Sequence, residues 1–235
     1  NTNYQTLCYC SGFSLTLAYY NPPAGPYYTL DFYWGYGSIN VTIPGGLHAD
    51  TWYHWAVVRM GTNITLYWNG IAIGTTSGVT NWSWPNSTML YVGTQPGFQQ
   101  TYIYPLPGFV SNLRLCKGVA VYTGNYTPSS SPLAVTQSSG VNISAVSPGQ
   151  CVLLTCQSYS GDGQTISDAS TLNYTAHQYY YYQPGGGQPN VKLPVLDWTA
   201  QPRINGDLTM SVGPFGASTT VTLTTTNVRD GTVVP

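Results

Sequence analysis

Apolar and polar positions alternate with a period of two wherever this chain shows a period, and no long helical pattern is present. That alternation predicts an all-β protein. It is clearest at residues 51–70, TWYHWAVVRMGTNITLYWNG. Trp52, His54, Ala56 and Val58 fall on one face there, and Tyr53, Trp55, Val57 and Arg59 on the other. Both faces are rich in apolar residues, as expected of a strand buried on two sides. Residues 60–63 read as a turn, and Ile64, Leu66 and Trp68 form the inward set of the next strand. Asn69-Gly70 is a strong hairpin signal, because both central positions of a two-residue turn need φ > 0. Ile71 starts the return strand, so the centre reads as an antiparallel meander.

The flanks repeat the pattern. Strands are expected at 5–8, 13–17, 28–33 and 39–43, with turns at 21–26 and 44–46. Residues 81–86 form a Trp-bearing loop and 94–105 a second aromatic loop. A strand is expected at 106–117, a short helical turn or strand at 118–122, an extended Pro-rich passage at 127–133 and a closing strand at 152–156. Beyond it, YYYYQPGGG at 179–187 reads as a low-complexity insertion among turn formers. ASTTVTLTTTN at 217–227 is strongly β-prone and uncharged, a segment that should pair with a neighbour or fill a gap in a sheet.

Charge changes the picture. Only 6% of the 235 residues are charged, and the net charge is −1, against roughly 25% charged in ordinary soluble proteins. There is no basic surface for nucleic acid. No apolar run approaches the roughly 20 residues of a membrane span. Solubility therefore rests on Ser, Thr, Asn, Gln and Tyr, on attached sugar, or on packing into an assembly. Near-zero net charge favours association, and the assembly reading is preferred to a free monomer. The length suffices to bury a core without disulfides.

Five cysteines are an odd number. Cys8 and Cys10 share one strand face, and Cys116 and Cys156 sit in expected core strands. Cys151 and Cys156, five apart, point to opposite faces of one strand. Buried thiols acting as small apolar residues are the preferred reading. One disulfide, of Cys151 with Cys8 or Cys10, is the alternative. His48, His54 and His177 are scattered and match no zinc spacing. No G-x-S-x-G elbow occurs. The glycines at 185–187 lack the Lys and helix of a phosphate loop. His54, mid-strand beside Trp55, reads as a satisfied core or interface histidine, and Arg59 and Arg114 as anchors for carboxylates or carbonyls.

Trp82, Trp84, Phe98, Tyr102 and Tyr104 are the loop aromatics. Aromatic faces stack on sugar C–H surfaces, and aromatics are also what protein interfaces prefer. These five are accordingly candidates for glycan binding or for subunit contact. Seven N-glycosylation sequons occur, at Asn40, Asn63, Asn81, Asn86, Asn125, Asn142 and Asn173. They imply a sugar coat only in a secreted eukaryotic protein.

The pieces TWYHWAVVR, ITLYWNG and MLYVG, together with the long block from Leu106 through SNLRLCKGVAVYTGNYTP and Pro132-Leu133 to LLTCQ, resemble a laminin-G-like, concanavalin A-like lectin domain. The second block is similar to the version found in bacteriophage structural proteins. The likeness covers residues 4–157 and extends more loosely to 215, through ISDAS at 166–170 and NGD at 205–207. It implies a concanavalin A-like jelly-roll sandwich of two antiparallel sheets over 1–157, with a β-rich extension over 158–235 that packs on the sandwich or on a neighbouring subunit. The family opens with two strands that this sequence does not show, one of which pairs beside the closing strand. Upstream cleavage, residues outside this sequence, or a strand donated by a neighbour would account for them. Hydrolases of related fold use a carboxylate pair, usually Glu. This chain has no Glu, and its seven Asp are not paired on a strand face, so no catalytic residues and no enzyme are expected. Relatives often hold Ca²⁺, for which Asp50, Asn81 and Asp168 are the candidates. Turn capping is the preferred role for all three, and no cofactor is expected.

The function this implies is a non-enzymatic structural and adhesion module of a multi-subunit assembly, extracellular or on a virion surface, such as a tail, fibre or capsid. Its partners would be copies of itself or other subunits, and glycans, but not nucleic acid or membrane. A secreted or cell-surface lectin and a filament subunit joined by strand exchange are the alternatives.

Overall fold

The computed structural model describes residues 2–10, 12–80, 90–95, 104, 106–157, 167–170, 176–181, 191–196 and 208–212. Among these residues thirteen strands run in order: β1 (Thr2–Cys10), β2 (Phe13–Tyr20), β3 (Tyr27–Trp34), β4 (Gly37–Thr42), β5 (Trp55–Met60), β6 (Asn63–Trp68), β7 (Ile71–Thr76), β8 (Leu90–Val92), β9 (Leu113–Lys117), β10 (Cys151–Thr155), β11 (Ala176–Tyr181), β12 (Val191–Leu196) and β13 (Leu208–Val212). They form two antiparallel sheets. Sheet A has the order β11-β12-β8-β1-β2-β3-β4 and sheet B the order β10-β9-β13-β5-β6-β7.

The main core lies between the sheets. Leu15, Leu17, Leu30 and Phe32 of sheet A meet Trp55, Val57, Ile64, Leu66, Trp68, Leu113, Leu115 and Leu153 of sheet B. Burying such a side chain stabilises the fold by about 1.5–3 kcal/mol. Sheet B also has its outer face covered. Ala56, Val58, Tyr67, Cys116, Cys151 and Leu154 pack there against Ala120, Val121, Tyr122, Tyr126, Leu133 and Val146. The apolar character of both faces at 52–59 thus has a structural cause.

Arg114 ties this outer layer down. It is only 1% exposed. Its guanidinium donates to the Ala134 carbonyl at 3.2 Å and to Gln137 Oε1 at 2.8 Å. Arg59 likewise donates to the carbonyls of Gly61 and Val79. Both arginines anchor carbonyls, one of the two roles expected for them.

Several elements differ from expectation. β5 starts at Trp55, not Trp52, because the His54 N–H is taken by Asn69 Oδ1 at 2.9 Å rather than by a ladder partner. β9 starts only at Leu113. Asn112 before it is left-handed, at φ 55°, and is held by its N–H to the Cys156 carbonyl and its Oδ1 to the Leu133 N–H. Residues 118–122 form neither helix nor strand, and Tyr122 makes one isolated bridge with Ile143. Part of the Tyr-rich stretch pairs as β11. β13 lies between β9 and β5, with Met210 opposite both Leu115 and Val57, whereas among the described residues the closing strand β10 pairs with β9 alone. The segment 217–227 lies outside the described residues.

All five thiols are free and buried. Cys8, Cys10 and Cys156 belong to the main core, whereas Cys151 sits in the outer layer opposite Cys116. The disulfide of Cys151 with Cys8 or Cys10 is therefore overturned: sheet B stands between them. Cys151 and Cys156 do point to opposite faces, as their spacing requires.

The Asn69-Gly70 hairpin is as expected, with φ of 49° and 81°. A Cβ on Gly70 would lie 2.0 Å from the Tyr126 carbonyl oxygen, whereas one on Gly61, also at positive φ, would meet nothing within 4 Å. Gly61→Ala should then cost about 1 kcal/mol from backbone strain alone. Gly70→Ala should cost at least about 2 kcal/mol more, because the outer layer has to shift. Urea unfolding of the two variants side by side checks this.

Candidate functional site

A pocket of about 540 Å³ opens where the two sheets part. Gln5, Leu7, Leu17 and Tyr28 of sheet A form one wall, and Trp55 and Trp68 of sheet B form part of the floor. The rims are two loops, residues 47–53 and 106–110. Its size falls within the range of small-molecule sites, about 300–1,000 Å³.

Local chemistry shapes each rim. Asp50 is left-handed, at φ 54°, and turns the first loop back on itself. The Thr51 hydroxyl donates to the Ala49 carbonyl at 3.1 Å, and the His48 N–H donates to the Tyr53 hydroxyl at 2.8 Å. The Tyr53 ring stacks on Trp68, with centroids 5.1 Å apart. This stack orients Tyr53, while Trp52 beside it stays half-buried. The second rim is pinned by the Leu106 N–H on the Gly93 carbonyl at 2.8 Å, and Gly93 in turn donates to Leu7. Phe109 at its tip is 54% exposed. The result is a cleft of aromatic surfaces edged by His48, Asp50, Thr51 and Gln5. Such a lining suits a ligand with both C–H faces and hydroxyls.

His54 takes no part in it. It is 2% exposed and turned to the outer layer, with Nδ1 3.1 Å from the Tyr126 hydroxyl and its ring edge-on to Tyr122 and Tyr126. Burial, and then the Arg114 charge, lowers its pKa to about 4. It is a satisfied core histidine, as its place mid-pattern suggested.

Residues 4–120 match the laminin G-type family described as the concanavalin A-like lectin/glucanases superfamily. The fold is a concanavalin A-like jelly-roll sandwich. Comparison with curated proteins and with solved structures gave no significant match. The family so described is one of lectin-like domains, and residues 4–120 are similar to it.

The aromatics singled out from sequence do not line this sandwich's pocket where they can be placed. Trp82, Trp84, Phe98 and Tyr102 lie outside the described residues. Tyr104 is half-buried against Tyr4, with ring centroids 5.5 Å apart, and its carbonyl accepts from the Thr6 N–H at 2.9 Å. The pocket instead uses Tyr28, Trp52, Tyr53 and Phe109. The alternation at 52–59 places Trp52 and Tyr53 in a strand; the Asp50-Thr51 turn directly before them puts both on the rim instead.

Of the sequons, Asn40, Asn63, Asn125 and Asn142 are exposed, and Asn81, Asn86 and Asn173 lie outside the described residues. Asn125 Oδ1 accepts the Ala72 N–H, and Asn142 Nδ2 donates to the Asn125 carbonyl.

Of the Ca²⁺ candidates, Asp50 and Asp168 are among the described residues, and each has another role. Asp168 Oδ1 accepts the N–H groups of Leu154 and Ser170, and Oδ2 accepts the Ser170 hydroxyl. Its carboxylate therefore braces a turn beside β10. Asp50 serves the pocket rim, and Asn81 lies outside the described residues. Among the described residues, no three His, Cys, Asp or Glu gather to hold an ion.

The depressed pKa of His54 carries a pH signature. As pH falls below about 6.5, the unfolded chain takes up a proton that the folded chain refuses until about pH 4. Stability contributed by neutral His54 is thus lost through that window. Between pH 7 and pH 4.5 the wild-type chain should lose about 2–3 kcal/mol more than His54→Gln. Denaturant unfolding of both proteins at the two pH values checks it.

Proposed function

We propose that this chain is a non-enzymatic adhesion module that binds an oligosaccharide in the pocket between the 47–53 and 106–110 loops. The observation that carries the reading is the lining: Tyr28, Trp52, Tyr53 and Phe109 present aromatic surface beside the polar groups of Gln5, His48, Asp50 and Thr51. Sugars are held by such a combination of ring stacking and hydrogen bonding. Among the described residues that line the pocket Asp50 is the sole acid, and the binding proposed here uses no metal.

A second observation favours a place in an assembly of repeated copies. Only 6% of residues are charged, and Tyr27, Tyr33 and Tyr36 are exposed. Surfaces rich in Tyr and poor in charge suit contacts between subunits. In this reading the module stands on the outside of an extracellular assembly or a virion, with its pocket facing out. The virion setting rests on the resemblance read in the sequence at 106–157 alone. Light scattering of the purified chain tests it: a monomer at all concentrations removes the assembly reading and leaves the sugar reading intact.

Glycan-array screening, followed by calorimetry on the best oligosaccharide, tests the pocket. Phe109→Ala removes an exposed ring and should weaken binding about tenfold with little change in stability, since one stacking contact is worth about 0.5–1.5 kcal/mol. A chelator should leave affinity unchanged. Binding that survives both Phe109→Ala and Trp52→Ala sinks this assignment.

A further inference from the structure

The outward face of sheet A holds a feature that the pocket does not explain. Strand pairing sets Thr6 opposite Thr16, Thr16 opposite Asp31, and Asp31 opposite Asn40, in one row across β1–β4. Leu15, Leu17, Leu30 and Phe32 point into the core, so this row points away from it. Yet Thr6 and Asp31 are both 0% exposed, and Thr16 and Thr29 are also buried. Four oxygens there make no hydrogen bond of good geometry: the hydroxyls of Thr6, Thr16 and Thr29, and Asp31 Oδ2, although the Thr29 and Tyr33 side chains lie near enough to the carboxylate to favour its charged form. Asn40 Nδ2 serves only the other carboxylate oxygen, Oδ1.

Charge sharpens the point. Asp31 is the single charged side chain in residues 1–47, which contain no Lys, Arg or His. A buried carboxylate with no cation nearby is costly. Burial raises its pKa, and the neighbouring Thr29, Tyr33 and Asn40 hold it back only in part. Tyr4, Tyr20 and Tyr33 stand on the same sheet face as Thr6, Thr16 and Asp31; burial, then Tyr4, then the Asp31 charge push the Tyr20 phenol up to about 12, and burial, then Asp31 and Tyr4, raise Tyr33. Tyr33 is 40% exposed, so this face borders solvent.

We propose that Asp31, Thr6, Thr16 and Thr29, flanked on the same sheet face by Tyr4, Tyr20 and Tyr33, form a binding site for the primary ammonium group of a small molecule. An R–NH₃⁺ group offers three donors and no acceptor. It meets here a row of unpartnered acceptors that includes one negative charge, and tyrosine rings favour a cation nearby. Ca²⁺ fits poorly, because it takes six to eight oxygens, carboxylates prominent among them, and Asp31 is the only carboxylate in this face of β1–β4. A quaternary ammonium fits poorly too, having no N–H to give the threonines. This site is separate from the pocket, since Thr6 and Gln5 are adjacent in β1 and point to opposite faces.

The test is a titration of the isotopically labelled full chain with n-butylammonium chloride at constant ionic strength, followed by amide chemical shifts. Saturable shifts at Thr6, Thr16, Thr29 and Asp31 are expected, at least tenfold weaker with tetramethylammonium and absent with CaCl₂. Asp31→Asn keeps the Oδ1 acceptor for Asn40 and should abolish the response. Thr16→Val supplies a second test and should weaken it several-fold, while Phe109→Ala should leave it unchanged. Glucosamine exceeding butylammonium, with N-acetylglucosamine silent, would assign a sugar-borne amine; the reverse order would assign a simple amine. No saturable response to butylammonium, an undiminished response in both Asp31→Asn and Thr16→Val, or tighter binding of Ca²⁺ or tetramethylammonium would each overturn the proposal.

Discussion

Sheet B is covered on both faces over β5, β9 and β10, and much of the molecule follows from that. In β5 alone, Trp55 and Val57 enter the core between the sheets, while Ala56 and Val58 enter the outer layer. A sheet apolar on both sides has to be covered twice. Sheet A supplies one cover. Residues 118–147 supply the other without forming a sheet of their own, so their backbone groups need partners one by one. They find them locally: the Tyr126 N–H on the Gly70 carbonyl, the Ser144 N–H on Val121, and a reciprocal pair between Gln137 and Val146. The Tyr122 and Tyr126 rings stack at 3.6 Å, nearly parallel, and fill the space above Tyr67 and His54.

Arg114 is the exposed-type residue that this arrangement internalises. Its desolvation is offset by the Ala134 carbonyl and the Gln137 side chain, both from the covering layer. The same charge helps keep His54 neutral. Stability of the outer layer and protonation of His54 are thereby linked through one buried cation, which is why acid should act on this layer first.

Two places stand apart from the core in chemistry: the mouth between the sheets, and the outer face of sheet A. The mouth combines aromatic surface with dispersed polar groups. The face of sheet A concentrates threonine hydroxyls around a single carboxylate, with no basic residue in β1–β4. Neither resembles a hydrolytic centre, in which two carboxylates face each other across a cleft. Asp31, Asp50 and Asp168 serve three different surroundings: a sheet face, a pocket rim and a turn beside β10.

Strand identity was legible wherever alternation was clean. The meander at 51–76, the Asn69-Gly70 turn and the three N-terminal strands follow from side-chain period and from the φ > 0 demand of one dipeptide, both properties of local sequence. So does the placement of Cys151 and Cys156 on opposite faces. Strand ends were not legible, because they depend on distant partners: Asn69 takes the His54 N–H and delays β5, and Cys156 and Leu133 hold Asn112 left-handed and delay β9. The insertion of β13 between β9 and β5 and the pairing of Tyr-rich β11 are likewise long-range choices. The sequence by itself determined an all-β sandwich with one strand apolar on both sides, since period and composition are written along the chain. Only the tertiary structure decided which aromatics line a pocket and which polar residues are buried on the face of sheet A. Exposure is a property of what the other strands and loops bring alongside, not of the residue itself.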